Sequence, residues 1–267
     1  MSIGKTTKSS SDIHDLRMKI RMNEWSSQTT GMAPQNVQTN LAVLPEEYAF
    51  DFLLYCQRNP QACPVIEVLR PGVAQPSFVS NRADIRTDLP KYVIYEHGKK
   101  ICEVEDIQSY WRDDLVTFLI GCAFTFQGPL LDAGIHIRHL EEGRSDPTYI
   151  TSIATRRAGI FYGPLVVSMW PVKWKDVAKV VQITGRLPLA HGSPVHVGDP
   201  KHLGIVDLDQ PEYGEAVSLQ EDEVPVFWAC GVTPQQAAAK AKPSLMITHS
   251  SSHMFITDLS YRHLDIM

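Results

Sequence analysis

The sequence is short of the features that mark specialised classes. It has no long apolar run: the longest, Leu115 to Phe126, is interrupted by Thr117 and Thr125 and is too short to cross a bilayer, so no membrane partner is expected. Its five cysteines (Cys56, Cys63, Cys102, Cys122 and Cys230) are odd in number and lack CxxC spacing, which excludes a disulfide framework or zinc ribbon and points to a reducing compartment. Basic charge is scarce. No Lys or Arg falls between His202 and Ala239, whereas Asp207, Asp209, Glu212, Glu215, Glu221, Asp222 and Glu223 do. The formal net charge is −5, so the rest of the chain is close to neutral and offers no electrostatic footprint for nucleic acid. The acidic segment reads as a solvated loop or hairpin. Absence of GxGxxG, Walker, GxSxG and EF-hand patterns argues against nucleotide, hydrolase-elbow and calcium chemistry.

What remains is a chain of 267 residues, 43% hydrophobic, with 16 Gly and 18 Pro, enough for one large domain or two small ones and not disordered. Residues Met1 to Ser11 are rich in Ser and Thr but have no apolar stretch, and no Arg precedes Arg17, so a signal or transit peptide is not expected. A cytoplasmic protein is the expectation, with the mitochondrion as the alternative.

Helices are expected from Asp12, as cap, to about Asn23, and from Pro45 to Arg58 ahead of Asn59-Pro60. Val65–Leu69 reads as a buried strand, and Tyr92–Tyr95 with Lys100–Val104 as a hairpin turning at His97-Gly98. Ile107–Cys122 reads as helical. Strands are expected near Ile135–His139, Tyr149–Ile153 and Pro164–Met169, and an amphipathic helix from Trp174 to Thr184 closes at Gly185 as C′ glycine. The alternation of helices and strands predicts an α/β or mixed α+β class.

The C-terminal quarter carries the clearest signals. Pro225–Cys230 is a short buried strand that breaks at Gly231; Thr233-Pro-Gln-Gln236 matches a capping box; Pro243 ends the helix; Ser244–Thr248 is the next strand. This is a candidate βαβ unit, with antiparallel strands or strands in different sheets as the alternatives. If the strands are parallel, Cys230 and His249 meet at the carboxyl edge of a sheet beside a helix N-terminus, where a thiol is acidified and a histidine can deprotonate it. The alternative is a small buried cysteine that closes a strand. Histidines cluster at His191, His196, His202, His249 and His253. His249-x3-His253 has ligand spacing but lies in strand-like sequence, so no metal is expected. The loop from His191 to Pro200, dense in Gly, Pro and His, is a candidate pocket edge. Asp84, Arg86 and Asp88 are expected to exchange surface ion pairs, with a polar-ligand site as the alternative.

Five segments in order, Val37–Pro45, Asp84–Pro90, Phe118–Cys122, His191–His196 and Pro225–Gln235 (PVFWACGVTPQ), resemble the hydro-lyase family that includes mitochondrial D-glutamate cyclase, from about Thr29 to Leu259. The resemblance implies a three-layer αβα sandwich joined to a smaller two-layer α+β part. Residues 1–125 together with 222–267 are expected to form the first and 126–221 the second. It implies loss of water as D-glutamate closes to 5-oxoproline, and no cofactor. The family pattern reads GCSFSFE where this chain has Gly121–Gln127, VSMRP where it has Val167–Pro171, THAPGHM where it has Thr248–Met254, and a base and an Asn within Tyr149–Ser152. Charges are therefore lost at Gln127, Ile150 and Trp170, and Trp cannot reproduce an Arg fork. On this reading His249, Cys230 and His253 are the catalytic candidates. Gln127, Trp170, Ile150, His191, Ser168, Gln38 and Asn40 are the substrate-binding ones. The expected activity is lyase-type dehydration or cyclisation of a small molecule less charged than glutamate, in secondary metabolism. The alternatives are D-glutamate cyclase itself and an inactive small-molecule binder. Homodimerisation stays open.

Overall fold

The computed structural model describes residues 10–80 and 82–266. In chain order the elements are α1 (Ser10–Arg21), β1 (Asn36–Pro45), α2 (Glu46–Arg58), β2 (Val65–Val68), β3 (Tyr92–Glu96), β4 (Lys99–Val104), β5 (Leu115–Gly121), α3 (Gln127–Asp132), α4 (Arg138–Glu141), β6 (Thr148–Ala154), β7 (Pro164–Lys173), α5 (Val177–Gly185), β8 (His196–Val197), β9 (Glu223–Ala229), α6 (Thr233–Ala241), β10 (Met246–His249) and β11 (Phe255–Ser260). The class is mixed α/β, built on two antiparallel sheets. The larger runs β2-β5-β1-β10-β3-β4, with β11 pairing the other end of β1, and the smaller runs β6-β7-β9-β8. β9 belongs to the smaller sheet although it lies in the 222–267 segment expected to accompany the larger part. Among the described residues no helix is long and apolar enough to cross a membrane.

Both faces of the larger sheet are buried. Ala42 and Leu44 of β1 face α2 and α6 with Phe52, Tyr55, Ala237 and Ala238, while Leu41 and Val43 face the segment 69–107 through Leu69, Val79, Ile85 and Ile107. A strand covered on both sides needs no polar alternation, and this explains the main misreading. The apolar run ending at Cys122 is not a helix: after a 3-10 turn at Gln108–Tyr110, Leu115–Gly121 is a fully buried strand registered against Thr39–Pro45. β1 itself is buried along its whole length and carried no period to read.

Other expectations need correction. Val65–Val68 is a strand, but half-exposed at the sheet edge. Ile135–His139 is no strand; it leads into the single turn of α4. α1 starts at Ser10, so Asp12 lies within its first turn instead of capping it. Gly185 is the last residue of α5, not a left-handed cap; its missing side chain matters because a Cβ would lie 2.7 Å from Ser193 Oγ. The Thr233 capping box does not form, since the Thr233 hydroxyl donates to the Cys230 carbonyl at 2.7 Å and accepts from the Val166 amide at 3.1 Å. Pairing around Asp84–Asp88 holds, with Arg86 on Asp84 at 2.7 Å and Arg21 on Asp88 at 2.7 Å, although Asp88 is fully buried.

Candidate active site

β9 and β10 lie in different sheets, so the βαβ unit does not exist, yet the convergence it suggested does. The carboxyl end of β9 delivers Cys230, that of β10 delivers His249 and that of β5 delivers Cys122 to one small cavity between the sheets, ≈ 30 Å³ in volume. The middle of β1 adds Asn40 and the loop after α5 adds His191. The start of β6 and the middle of β7, which pair, add Thr148 and Ser168, and the segment just before β6 adds Asp146. Gly231 is required by close approach: a Cβ there would lie 2.0 Å from Asn40 Nδ2. Asn40 donates to the Gly121 carbonyl at 2.6 Å, which ties β1 to the end of β5 at the cavity floor.

Protonation inside the cavity is governed by burial. His249 is pushed down to about 4 by desolvation. The Leu41 amide donates to its Nδ1 at 3.1 Å, a shorter contact than the 3.4 Å to the Leu41 carbonyl, so Nδ1 is the acceptor and the ring proton sits on Nε2. His191 is likewise pushed down to about 4, burial outweighing the Gln61 and Gly121 carbonyls. Its Nδ1 donates to the Gln61 carbonyl at 2.7 Å, which leaves a lone pair on Nε2. Its backbone is left-handed at φ 79°, a conformation unusual for a side-chain-bearing residue and concentrated at functional positions. The two rings are thus neutral and complementary, one a donor and the other an acceptor.

Cys230 departs from the sequence reading. Its thiol is not acidified; burial, reinforced by Asp146, pushes it up to about 11 and outweighs the Ser168, Val232 and Thr148 donors around it. Cys122 is also driven well up by burial. Neither cysteine is a thiolate. The acidic group of the cavity is Asp146, whose carboxyl is raised by desolvation against the opposing Ser168 hydroxyl and Trp170 indole. Sequence reasoning passed over Asp146. The only local signal was an acid beside Pro147 immediately ahead of a strand.

Of the residues expected to bind substrate, Asn40, Ser168 and His191 line the cavity. Gln38 does not; it is buried and donates to the Met32 carbonyl at 2.8 Å, tying down the 29–32 loop. Gln127 is fully buried against His139 (3.3 Å) and the Gly31 amide (3.1 Å). Trp170 packs in the core of the smaller sheet against Trp228, Phe126 and His139. Ile150 lies on the outer side of β6 beside Tyr149 and Glu212. The lost charges therefore do not sit on the cavity wall. His253 is also outside it, its Nδ1 donating to the Ser251 carbonyl at 2.6 Å, with Lys91 and Glu103 nearby. His196 and His202 pack edge to face, their rings 5.5 Å apart, away from the cavity, so the histidine cluster divides. No group of three or more His, Cys, Asp or Glu suited to a metal occurs among the described residues.

Two antiparallel sheets enclosing a buried acid and two neutral histidines define a protein with an internal acid–base pocket. The family profile described as D-glutamate cyclase matches residues 116–258. Three bacterial proteins with hydro-lyase in their names align over most of the chain. The one from Thermoanaerobacter sp. is 53% identical over 245 residues, 92% of either chain. The one from Geobacillus kaustophilus is 51% identical over 253 residues, covering 95% of this chain and 96% of the other. The one from Corynebacterium urealyticum is 55% identical over 230 residues, covering 86% and 87%. The chain belongs to the D-glutamate cyclase family. The matched span includes Cys122, Asp146, Ser168, His191, Cys230 and His249, so every cavity group named above except Asn40 lies inside it.

Proposed function

We propose that the protein is a lyase-type enzyme that removes water from a small amino acid by closing it into a ring, with D-glutamate to 5-oxoproline as the first reaction to test. The observation that carries this reading is Asp146, a buried carboxyl with raised proton affinity on a cavity wall that presents no Lys or Arg among the described residues. A carboxylate is a poor electrophile for an amine, and ring closure with loss of water needs a proton on the departing oxygen. Asp146 supplies that proton to the substrate carboxylate, while His191 Nε2 takes one proton from the substrate ammonium. The amine attacks the carboxyl carbon and the new C–N bond forms. The nitrogen returns a proton to Asp146 and His191 gives its proton to the leaving hydroxyl, which departs as water. Both groups end as they began, and two ammonium protons leave with one carboxylate oxygen.

His249 Nε2–H and the Gly231 amide just ahead of α6 suit the other carboxylate, because a helix N-terminus favours an anion. Holding the two ends of the substrate in a reactive conformer is itself a large part of such a ring closure. A wall without a cation holds one carboxylate anion, and the second is tolerated only with the proton of Asp146. Gln127, Ile150 and Trp170 lie off this wall and lend no support to a substrate less charged than glutamate. The closed cavity has room for about one or two waters, so substrate enters when the Ser250–Met254 wall, held by Thr29, gives way.

Incubation of the protein with D-glutamate, followed by NMR detection of 5-oxoproline, tests the proposal. Turnover that falls by about 10²–10⁴ in Asp146→Asn is the expected result. Turnover of a monocarboxylate amino acid but not D-glutamate would reassign the substrate, and ligand binding without any conversion would leave only a binding protein.

A further inference from the structure

The smaller sheet places a second polar group on Asp146 that has no role as a pocket wall. Thr148 pairs with Ser168, and the Met169 amide donates to the Pro147 carbonyl at 2.9 Å, so the antiparallel register continues one step beyond β6 and sets Asp146 opposite Trp170. Ser168 and Trp170 are two residues apart on β7 and project from one face of the strand. The Trp170 indole N–H is buried without a hydrogen-bond partner, and the register sets the Asp146 carboxyl across the sheet from it. A buried donor without a partner is unfavourable, so this nitrogen is expected to serve an acceptor that changes state.

The ring cannot tilt away from that acceptor. His139 packs against it at 4.9 Å, Trp228 at 5.5 Å and Phe126 at 6.4 Å. His139 is itself held by the Gln127 amide at 3.3 Å and is kept neutral, its pKa lowered to about 3 by burial. We propose that Trp170 is a positioning residue: its indole N–H, together with the Ser168 hydroxyl, holds the Asp146 carboxyl toward the cavity. This rests on the role given to Asp146 above.

The surroundings of Asp146 leave these neutral dipoles in control. β7 contributes Ser168 and Trp170 and β6 contributes Thr148. The ends of β5 and β9 contribute the protonated thiols of Cys122 and Cys230. The 213–215 segment contributes Tyr213, paired with Thr148, and Glu215, which holds the neighbouring Ser145. His191 and His249 share the cavity and are neutral. Ionised Asp146 is therefore favoured by hydrogen-bond donors and opposed by burial, with no cation on the cavity wall among the described residues.

The test is an indole ¹⁵N–¹H NMR titration of the intact protein, whose five tryptophans give five indole signals, that of Trp170 being the one lost in Trp170→Phe. The Trp170 signal is expected to move with pH along a single titration and to stay flat in Asp146→Asn. In Trp170→Phe the ¹³C carboxyl midpoint of Asp146 is expected to rise by about one unit, the size of one hydrogen bond to a charged group. The alkaline limb of the pH–rate profile, where Asp146 loses the proton it has to donate, is expected to move the same way. A Trp170 signal that still titrates in Asp146→Asn, or a carboxyl midpoint unmoved in a folded Trp170→Phe, overturns the proposal. If Trp170→Phe does not fold, the signals that vanish in Trp25→Phe, Trp111→Phe, Trp174→Phe and Trp228→Phe identify Trp170 by elimination, and the Asp146→Asn comparison decides. None of the NMR readings needs substrate: coupling without turnover of D-glutamate removes the proposed reaction and keeps this contact, and turnover without coupling does the reverse.

Discussion

Gly231→Ala probes the cavity floor with a single methyl group. Gly231 has an ordinary negative-φ backbone, so the substitution introduces no conformational strain, but the new Cβ would lie 2.0 Å from Asn40 Nδ2, 2.2 Å from Cγ and 2.5 Å from Oδ1. The Asn40 backbone cannot yield, because it is paired with Ile120 in the middle of the larger sheet and is 3% exposed. Its side chain must rotate away, breaking the 2.6 Å bond to the Gly121 carbonyl. Loss of that bond costs about 1 kcal/mol and the stranded buried carbonyl about 1–3 more, or roughly 2–4 kcal/mol in all. At a few degrees per kcal/mol for a chain of this size, Tm should fall by about 5–15 °C. Urea unfolding and calorimetry measure it. The double variant isolates the contact: in an Asn40→Ala background, Gly231→Ala should cost less than about 1 kcal/mol, since the clashing amide is gone. Unchanged stability in the single variant, or full additivity in the double one, would refute the packing argument.

Asp146→Asn should lose activity and yet gain stability at neutral pH. The folded carboxyl has a higher pKa than the unfolded one, so ionising it opposes folding. The Tm difference between variant and wild type should grow as pH rises from the acid range toward neutrality. His191 and His249 act in the opposite sense: their folded values of about 4 lie below the ordinary 6.5, so stability is full above that value and is lost as pH falls toward 4, by on the order of 3 kcal/mol per histidine. Replacing either with Gln should flatten that acid limb in denaturant titrations. Because the Cys230 thiol is protonated and serves as a neutral hydrogen-bonding group, Cys230→Ser should keep turnover within about tenfold, whereas a nucleophile would lose it altogether; steady-state kinetics decide. Gly214→Ala should both destabilise the fold and slow turnover, since its Cβ would lie 2.1 Å from the Asp146 carbonyl and φ there is +74°.

The sequence alone determined the elements whose signals are local. Pro45 and Asn59-Pro60 bracket α2, His97-Gly98 turns the β3–β4 hairpin, and Gly231 and Pro243 frame α6. The prolines and the left-handed His97-Gly98 fix their boundaries through restricted or unusual backbone freedom, whereas Gly231 marks a close approach to Asn40. Five ordered segments, PVFWACGVTPQ the most specific of them, likewise pointed to the family. The tertiary structure decided everything that depends on what lies across a gap. β1 and β5 are buried on both faces and so have no period; only their mutual register shows them to be strands. Cys230 and His249 meet although their strands are in different sheets, and Asp146 joins them through the β6–β7 register. Gln127 and Trp170 looked like lost pocket charges in the sequence, but the fold turns both into the core. The protonation states reverse the sequence reading for the same reason. A thiol next to a helix start is acidic only where solvent or a cation supports its charge, and at Cys230 desolvation outweighs the neutral donors around it, with no cation on the cavity wall among the described residues.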